Sequence, residues 1–107
     1  MRKLPPNSVA YIRPAVYAVE GFVNPDPGSS KFALSILQSP MPRFGNFTAC
    51  LSTLRRPAAD MATTDAKAAA LYPQSGRALR EAAKRGFDNA VMLDPDGNVA
   101  EFATANL

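Results

Sequence analysis

Three sets of residues in this 107-residue chain have the types and spacing to do chemistry. Lys67 stands in an alanine-rich run, Ala66-Lys67-Ala68-Ala69-Ala70-Leu71. Apolar surroundings disfavour the ammonium form of a lysine and leave the neutral amine, the nucleophile that condenses with a carbonyl. A solvated lysine with Asp65 nearby would have the same local sequence. Glu101 falls on the returning strand of a hairpin, on one face with Val99 and Ala103, where a buried carboxylate without a partner is costly. It should therefore meet a cation, or else lie exposed on a strand edge. Tyr11 and Arg13, two apart on an extended segment, share a face and can hold a carboxylate with a guanidinium fork and a hydroxyl. A surface pair has the same pattern.

Composition narrows the remaining chemistry. The chain has no histidine and one cysteine, which excludes zinc sites, His-based triads and an internal disulfide; no metal site is expected. Cys50 lies in the mostly apolar run Phe47-Thr48-Ala49-Cys50-Leu51 and is expected to be a buried, inert thiol. The net charge of +3 is spread along the chain, and no basic run exceeds Arg55-Arg56. A nucleic-acid partner is not expected. Met1-Arg2-Lys3 leads into Leu4-Pro5-Pro6 rather than a signal-peptide core, and no apolar run approaches the roughly 20 residues of a membrane span. A cytoplasmic, membrane-free protein is the expectation.

The elements that must position these residues follow from periodicity and punctuation. Ser8 to Val23 reads as extended chain, in which Pro14 predicts an edge strand or a bulge. The turn-rich GFVNPDPGSS stretch (21–30) separates it from a second strand over Lys31 to Gln38. The proline-punctuated Ser39 to Gly45 is the best candidate for a domain boundary. Phe47 to Leu54 is strand-like, and Asp60 to Lys67 has no clear period. Leu71, Ala78, Leu79, Ala82 and Ala83 then form the apolar stripe of a helix predicted over Tyr72 to Arg85. Pro73 belongs in its first turn and Gly86 is its left-handed cap; Arg77, Glu81 and Arg85 are spaced as i,i+4 pairs on the wet face. A hairpin ends the chain: Asn89 to Leu93, the turn Asp94-Pro95-Asp96-Gly97, then Val99 to Ala103. The class is α+β.

Taken in order, Tyr11-Ile12-Arg13-Pro14, Ala66-Lys67-Ala68 with Tyr72, Gly86-Phe87-Asp88-Asn89, Leu93-Asp94, Gly97-Asn98-Val99-Ala100-Glu101 and Asn106-Leu107 resemble the fold-type-IV pyridoxal 5'-phosphate (PLP) enzymes. Within them the chain is most similar to the branched-chain amino acid aminotransferases. The steps of five residues from Lys67 to Tyr72 and of 34 from Lys67 to Glu101 suit that family. The resemblance implies an internal piece of a two-domain enzyme, with 1–42 as the end of the small α/β domain and 43–107 as the start of the large PLP-binding domain. It implies transamination of branched-chain amino acids with 2-oxoglutarate or glutamate, in a homodimer. A D-amino acid transaminase or an aminodeoxychorismate lyase is the alternative within the fold. A catalytically incomplete piece that binds no cofactor by itself is the alternative outside it.

The same resemblance assigns roles. Lys67 matches the lysine that holds PLP through its amine and then serves as acid and base. Glu101 matches the partner of the pyridine nitrogen, Tyr72 the partner of the phenolic oxygen, and Asn106 a residue that supports that site. Tyr11 and Arg13 match the pair that receives the distal carboxylate of glutamate. The chain departs from many members in having Ala69 and Ala70 where they have glycines. The groups that grip the PLP phosphate are expected outside residues 1–107, so the chain alone should be inactive.

Overall fold

The computed structural model describes residues 4–40 and 45–107. Residues 1–3 and 41–44 lie outside them, and with them most of the stretch expected to mark a domain boundary. The chain divides into two compact units, Met1–Phe44 and Gly45–Leu107.

The first unit is a hairpin of two nine-residue strands, β1 (Ala10–Ala18) and β2 (Ser30–Gln38), paired antiparallel from Ala10 opposite Gln38 to Ala18 opposite Ser30. β1 is shorter than the extended stretch expected from Ser8 to Val23. The register runs without a shift through Pro14, which faces Leu34, so the proline marks an edge strand and no bulge. Cross-strand partners share a face. One face is apolar along its middle, pairing Ile12 with Ile36, Pro14 with Leu34 and Val16 with Phe32, with Gln38 and Ser30 at its ends. The other carries Tyr11 opposite Leu37 and Arg13 opposite Ser35. The connecting loop closes on Ser29, whose hydroxyl accepts from the backbone N–H of Val19 and Glu20 and donates to the Asp26 carbonyl. Gly21 sits there at φ +82°, and a Cβ would collide with the Asn24 carbonyl.

The second unit lays one helix on a three-stranded sheet. Strand β3 (Ala49–Leu51) pairs parallel with β4 (Asn89–Leu93), and β4 pairs antiparallel with β5 (Val99–Phe102). Helix α1 (Tyr72–Lys84) crosses from β3 to β4 and packs on β4. The core is Cys50, Ala78, Ala82, Ala90, Met92 and Ala103, with Leu54, Leu79 and Phe87 against it. Ala78 and Ala82 are fully buried; their small side chains let the helix lie close to the sheet, and Met92 fills the space between. Cys50 is buried as expected.

The buried face of α1 is Leu71, Ser75, Ala78 and Ala82. Ser75 therefore takes the place expected of Ala83, which is exposed; steps of four, three and four residues keep the stripe straight on a helix. The helix ends as foreseen. Gly86 lies at φ +80°, its N–H donates to the Ala83 carbonyl and that of Phe87 to the Ala82 carbonyl, the paired bonds of a Schellman cap. The final turn closes with the Gly97 N–H on the Asp94 carbonyl at 3.2 Å. A register shift then leaves Ala100 as an extra residue on β5: Leu93 faces Val99, whereas Met92 faces Glu101. This corrects the expectation that Val99, Glu101 and Ala103 share a face, because the bulge resets the alternation after Val99. None of the described helices is long and apolar enough to cross a membrane.

Candidate functional site

In the second unit a cleft of about 240 Å³ opens beside the start of α1. Lys67, Tyr72, Glu101 and Asn106 all line it, and so do Arg56 and Ser75. Four sequence-derived site residues, spread over 40 positions, thus meet in one concavity.

Each is placed by backbone structure. Lys67 ends a turn in which the Ala68 N–H donates to the Ala66 carbonyl at 2.8 Å. Residues Ala69–Leu71 form a 3₁₀ turn, and α1 begins at Tyr72 with Pro73 in its first turn. Leu71 is buried and anchors this join, so the step from Lys67 to Tyr72 is a fixed arc. Glu101 faces Met92 across the sheet and so points to the side that α1 covers, in the cleft beside the first turn of the helix. Asn106 follows a bend tied twice: the Phe102 N–H donates to the Ala105 carbonyl at 3.0 Å, and the Asn89 amide donates to the Thr104 hydroxyl at 2.8 Å.

The chemistry of the cleft differs from expectation at two points. Lys67 is exposed, as are Ala66, Ala69 and Ala70. The alanines do not bury the amine, because the turn and the 3₁₀ segment present them to solvent and only Leu71 turns inward. Glu101 is half-buried and does meet a cation: Arg56 Nη1 lies 2.7 Å from its Oε1. Sequence reasoning missed Arg56. The signal was a period of two carried past the strand: Leu54 packs on the core, which puts Arg56 on the same side. Ser75 was missed as well, having the size but not the polarity of the apolar stripe.

The carboxylates outside the cleft hold the scaffold. Glu81 was expected on the wet face of α1, paired with Arg77 and Arg85. It is paired with Arg85 at 3.3 Å, but Arg77 donates instead to Gln74. Its carboxylate also accepts from the Thr53 N–H and the hydroxyls of Ser52 and Thr53, pinning the helix to the chain after β3. The Thr53 N–H first, then the Ser52 hydroxyl, hold the Glu81 carboxyl below its ordinary range. Asp88 does the same at the opposite end, accepting from the Thr48 N–H and hydroxyl, which lower its carboxyl too. The Gly86-Phe87-Asp88-Asn89 motif is therefore architectural: a helix cap, a core contact, a clamp on the approach to β3, and a tether for the bend before Asn106.

Tyr11 and Arg13 belong to the first unit, two apart on β1 and both exposed. They share the mixed face of the hairpin.

The sequence as a whole matches the family model described as amino-transferase class IV, over residues 1–107. The chain belongs to the class IV aminotransferases. It is 30% identical to a probable branched-chain-amino-acid aminotransferase of Rickettsia bellii over 92% of its own length and 35% of the relative's. Its structure is similar to that of an aminotransferase from Brucella abortus bound to the co-factor PLP, with 43% identity and a TM-score of 0.89, over 95% of this chain and 38% of that one. It is also similar to the branched-chain aminotransferase of Thermoproteus uzoniensis solved with norvaline, with 30% identity and a TM-score of 0.71, over 88% and 33%. The chain thus spans about a third of the length of these relatives. Its α+β fold matches that share of the fold-type-IV aminotransferase architecture.

Proposed function

We propose that this class IV aminotransferase segment carries the catalytic half of a PLP site, in an enzyme that moves amino groups between branched-chain amino acids and 2-oxoglutarate. The observation that supports it most is the donor set of the cleft: one amine, one carboxylate, one phenol and one carboxamide converge there.

That set fits PLP group by group. An amine suits the aldehyde, a carboxylate the ring nitrogen, and a phenol, supported by a carboxamide, the phenolic oxygen. The phosphate has no such match, because Arg56, the other cation among the described residues lining the cleft, is engaged by Glu101. The volume of about 240 Å³ agrees, being below the roughly 300–1,000 Å³ of complete small-molecule sites. The phosphate grip is accordingly assigned to other parts of the enzyme. When bound, the cofactor supplies an electron sink for carbanion chemistry.

The residues then divide the work. Lys67, exposed at the mouth of the cleft, is free to hold the cofactor through Nζ and to move the proton at the substrate Cα. Glu101 would take the ring nitrogen as its partner and keep a proton there, with Oε1 already held by Arg56. Tyr72 would orient the ring by a hydrogen bond to its phenolic oxygen, and Asn106 would support that site. Tyr11 and Arg13 are assigned to the distal carboxylate of glutamate, a charge that an aliphatic substrate lacks. Residues 1–42 and 43–107 are assigned to the end of the small domain and the start of the large one. The active enzyme is proposed to be a homodimer of the cytoplasm.

A donor panel tests the reading. In an enzyme of the relatives' length that carries this chain, leucine and glutamate should each convert bound PLP to the amino form, followed by absorbance in single turnovers. Conversion by D-alanine, with none by leucine, would assign the segment to a D-amino acid transaminase instead.

A further inference from the structure

Arg56 has no part in the functions assigned so far, yet its pair with Glu101 is built into the sheet from both sides. The Arg56 N–H donates to the Leu93 carbonyl at 2.8 Å, which extends the parallel pairing of β3 past its end. The preceding carbonyl, of Arg55, accepts from the Gln74 amide of α1. The Arg55 guanidinium donates to the carbonyls of Asp94 and Pro95 in the hairpin turn. Glu101, on β5, pairs with the same strand β4 opposite Met92. Backbone bonds thus fix both ends of the pair, with 18% of the arginine side chain and 31% of the glutamate side chain exposed.

We propose that Arg56 is a positioning residue for Glu101, holding Oε1 so that Oε2 faces the cleft as the single acceptor for the ring nitrogen of PLP. This rests on the reading of Glu101 given above. A carboxylate on a flexible stem offers about four lone-pair directions, and one ring N–H can use only one. The guanidinium has a rigid planar head with a permanent charge, so its single contact from Nη1 holds Oε1 at a fixed point. Nη1 takes Oε1, and among the described residues no hydrogen bond reaches Oε2. The bulge at Ala100 contributes: it re-aims the strand so that Glu101 shares the side of Met92 and meets Arg56.

The test uses an enzyme of the relatives' length carrying this chain, loaded with PLP labelled with ¹⁵N in the ring. Its nitrogen resonance reports the ring proton independently of turnover. Arg56→Met should move that resonance most of the way to its position in Glu101→Gln. It should also lower kcat by about 10–100-fold, the cost of a lost charge-assisted bond, with KM nearly unchanged. A wild-type resonance in Arg56→Met overturns the proposal. If that variant fails to fold or load, Arg56→Lys decides, since it keeps the charge and loses the rigid planar head. A resonance between wild type and Glu101→Gln supports the positioning role, and a wild-type resonance with wild-type kcat refutes it. A wild-type resonance in Glu101→Gln refutes the assignment of Glu101 itself, a separate result.

Discussion

An arginine can serve two substrates that differ by a full charge only if it stays solvated or paired when the carboxylate is absent. Arg13 meets the first condition: it is exposed on β1, opposite Ser35, with Tyr11 on the same face. Arg13→Met in the enzyme-length protein should slow the glutamate half-reaction by the worth of a charge-assisted pair, about 1.5–3 kcal/mol or 10–100-fold. The leucine half-reaction should change little. Equal losses in single-turnover rates for both donors would mean that Arg13 supports the fold. At this scale the sequence singled out the site residues through the family resemblance, since residue type left Lys67 and Glu101 with solvated alternatives. The resemblance implied that Lys67, Tyr72, Glu101 and Asn106 serve one site, and all four line one cleft. Exposure was not legible: the alanines around Lys67 suggested burial, and the turn that displays them has no period to announce it.

Helix α1 joins the cleft to the core: Leu71 and Gln74 attach its start, and Glu81 its last turns. Its Schellman cap at Gly86 was legible, since a basic last turn followed by glycine is a strong stop. The Glu81 staple was not, because its partners Ser52 and Thr53 lie nearly thirty residues away. The staple has a pH signature. The Glu81 carboxyl is lowered from 4.5 in the folded state, so it favours folding fully above that value and less as pH falls through the lowered one. Wild type should therefore be more stable than Glu81→Gln at pH 6, and the difference in Tm should shrink as pH falls below about 4.5. A difference that does not vary between pH 6 and pH 3 would show that the carboxylate's charge plays no part. The bulge at Ala100 was also illegible, for alternation in a four-residue strand is too short to reveal one extra residue.

At the scale of the molecule the two units are unequally built. The second has a core around Met92, whereas the described part of the first has no buried residue, and its hairpin exposes Ile12, Val16, Phe32, Leu34 and Ile36. Two strands alone are marginally stable in water. Those apolar residues, with a cleft that lacks a dedicated phosphate grip, suit a chain spanning about a third of its relatives' length. The strand content of the first unit was legible from its prolines and from the alternation along Val9 to Ala18. What covers its apolar face was not, since a period of two says that a face is apolar and nothing of its partner. The most direct test of the central claim, that Lys67 carries the cofactor, is chemical trapping. An enzyme of the relatives' length that carries this chain is loaded with PLP, reduced with borohydride, digested and mapped by mass spectrometry. The expected result is stoichiometric pyridoxyl phosphate on the peptide containing Lys67, none in Lys67→Ala, and little on the 107-residue chain alone. Stoichiometric label on another lysine, with Lys67 unmodified, would contradict it.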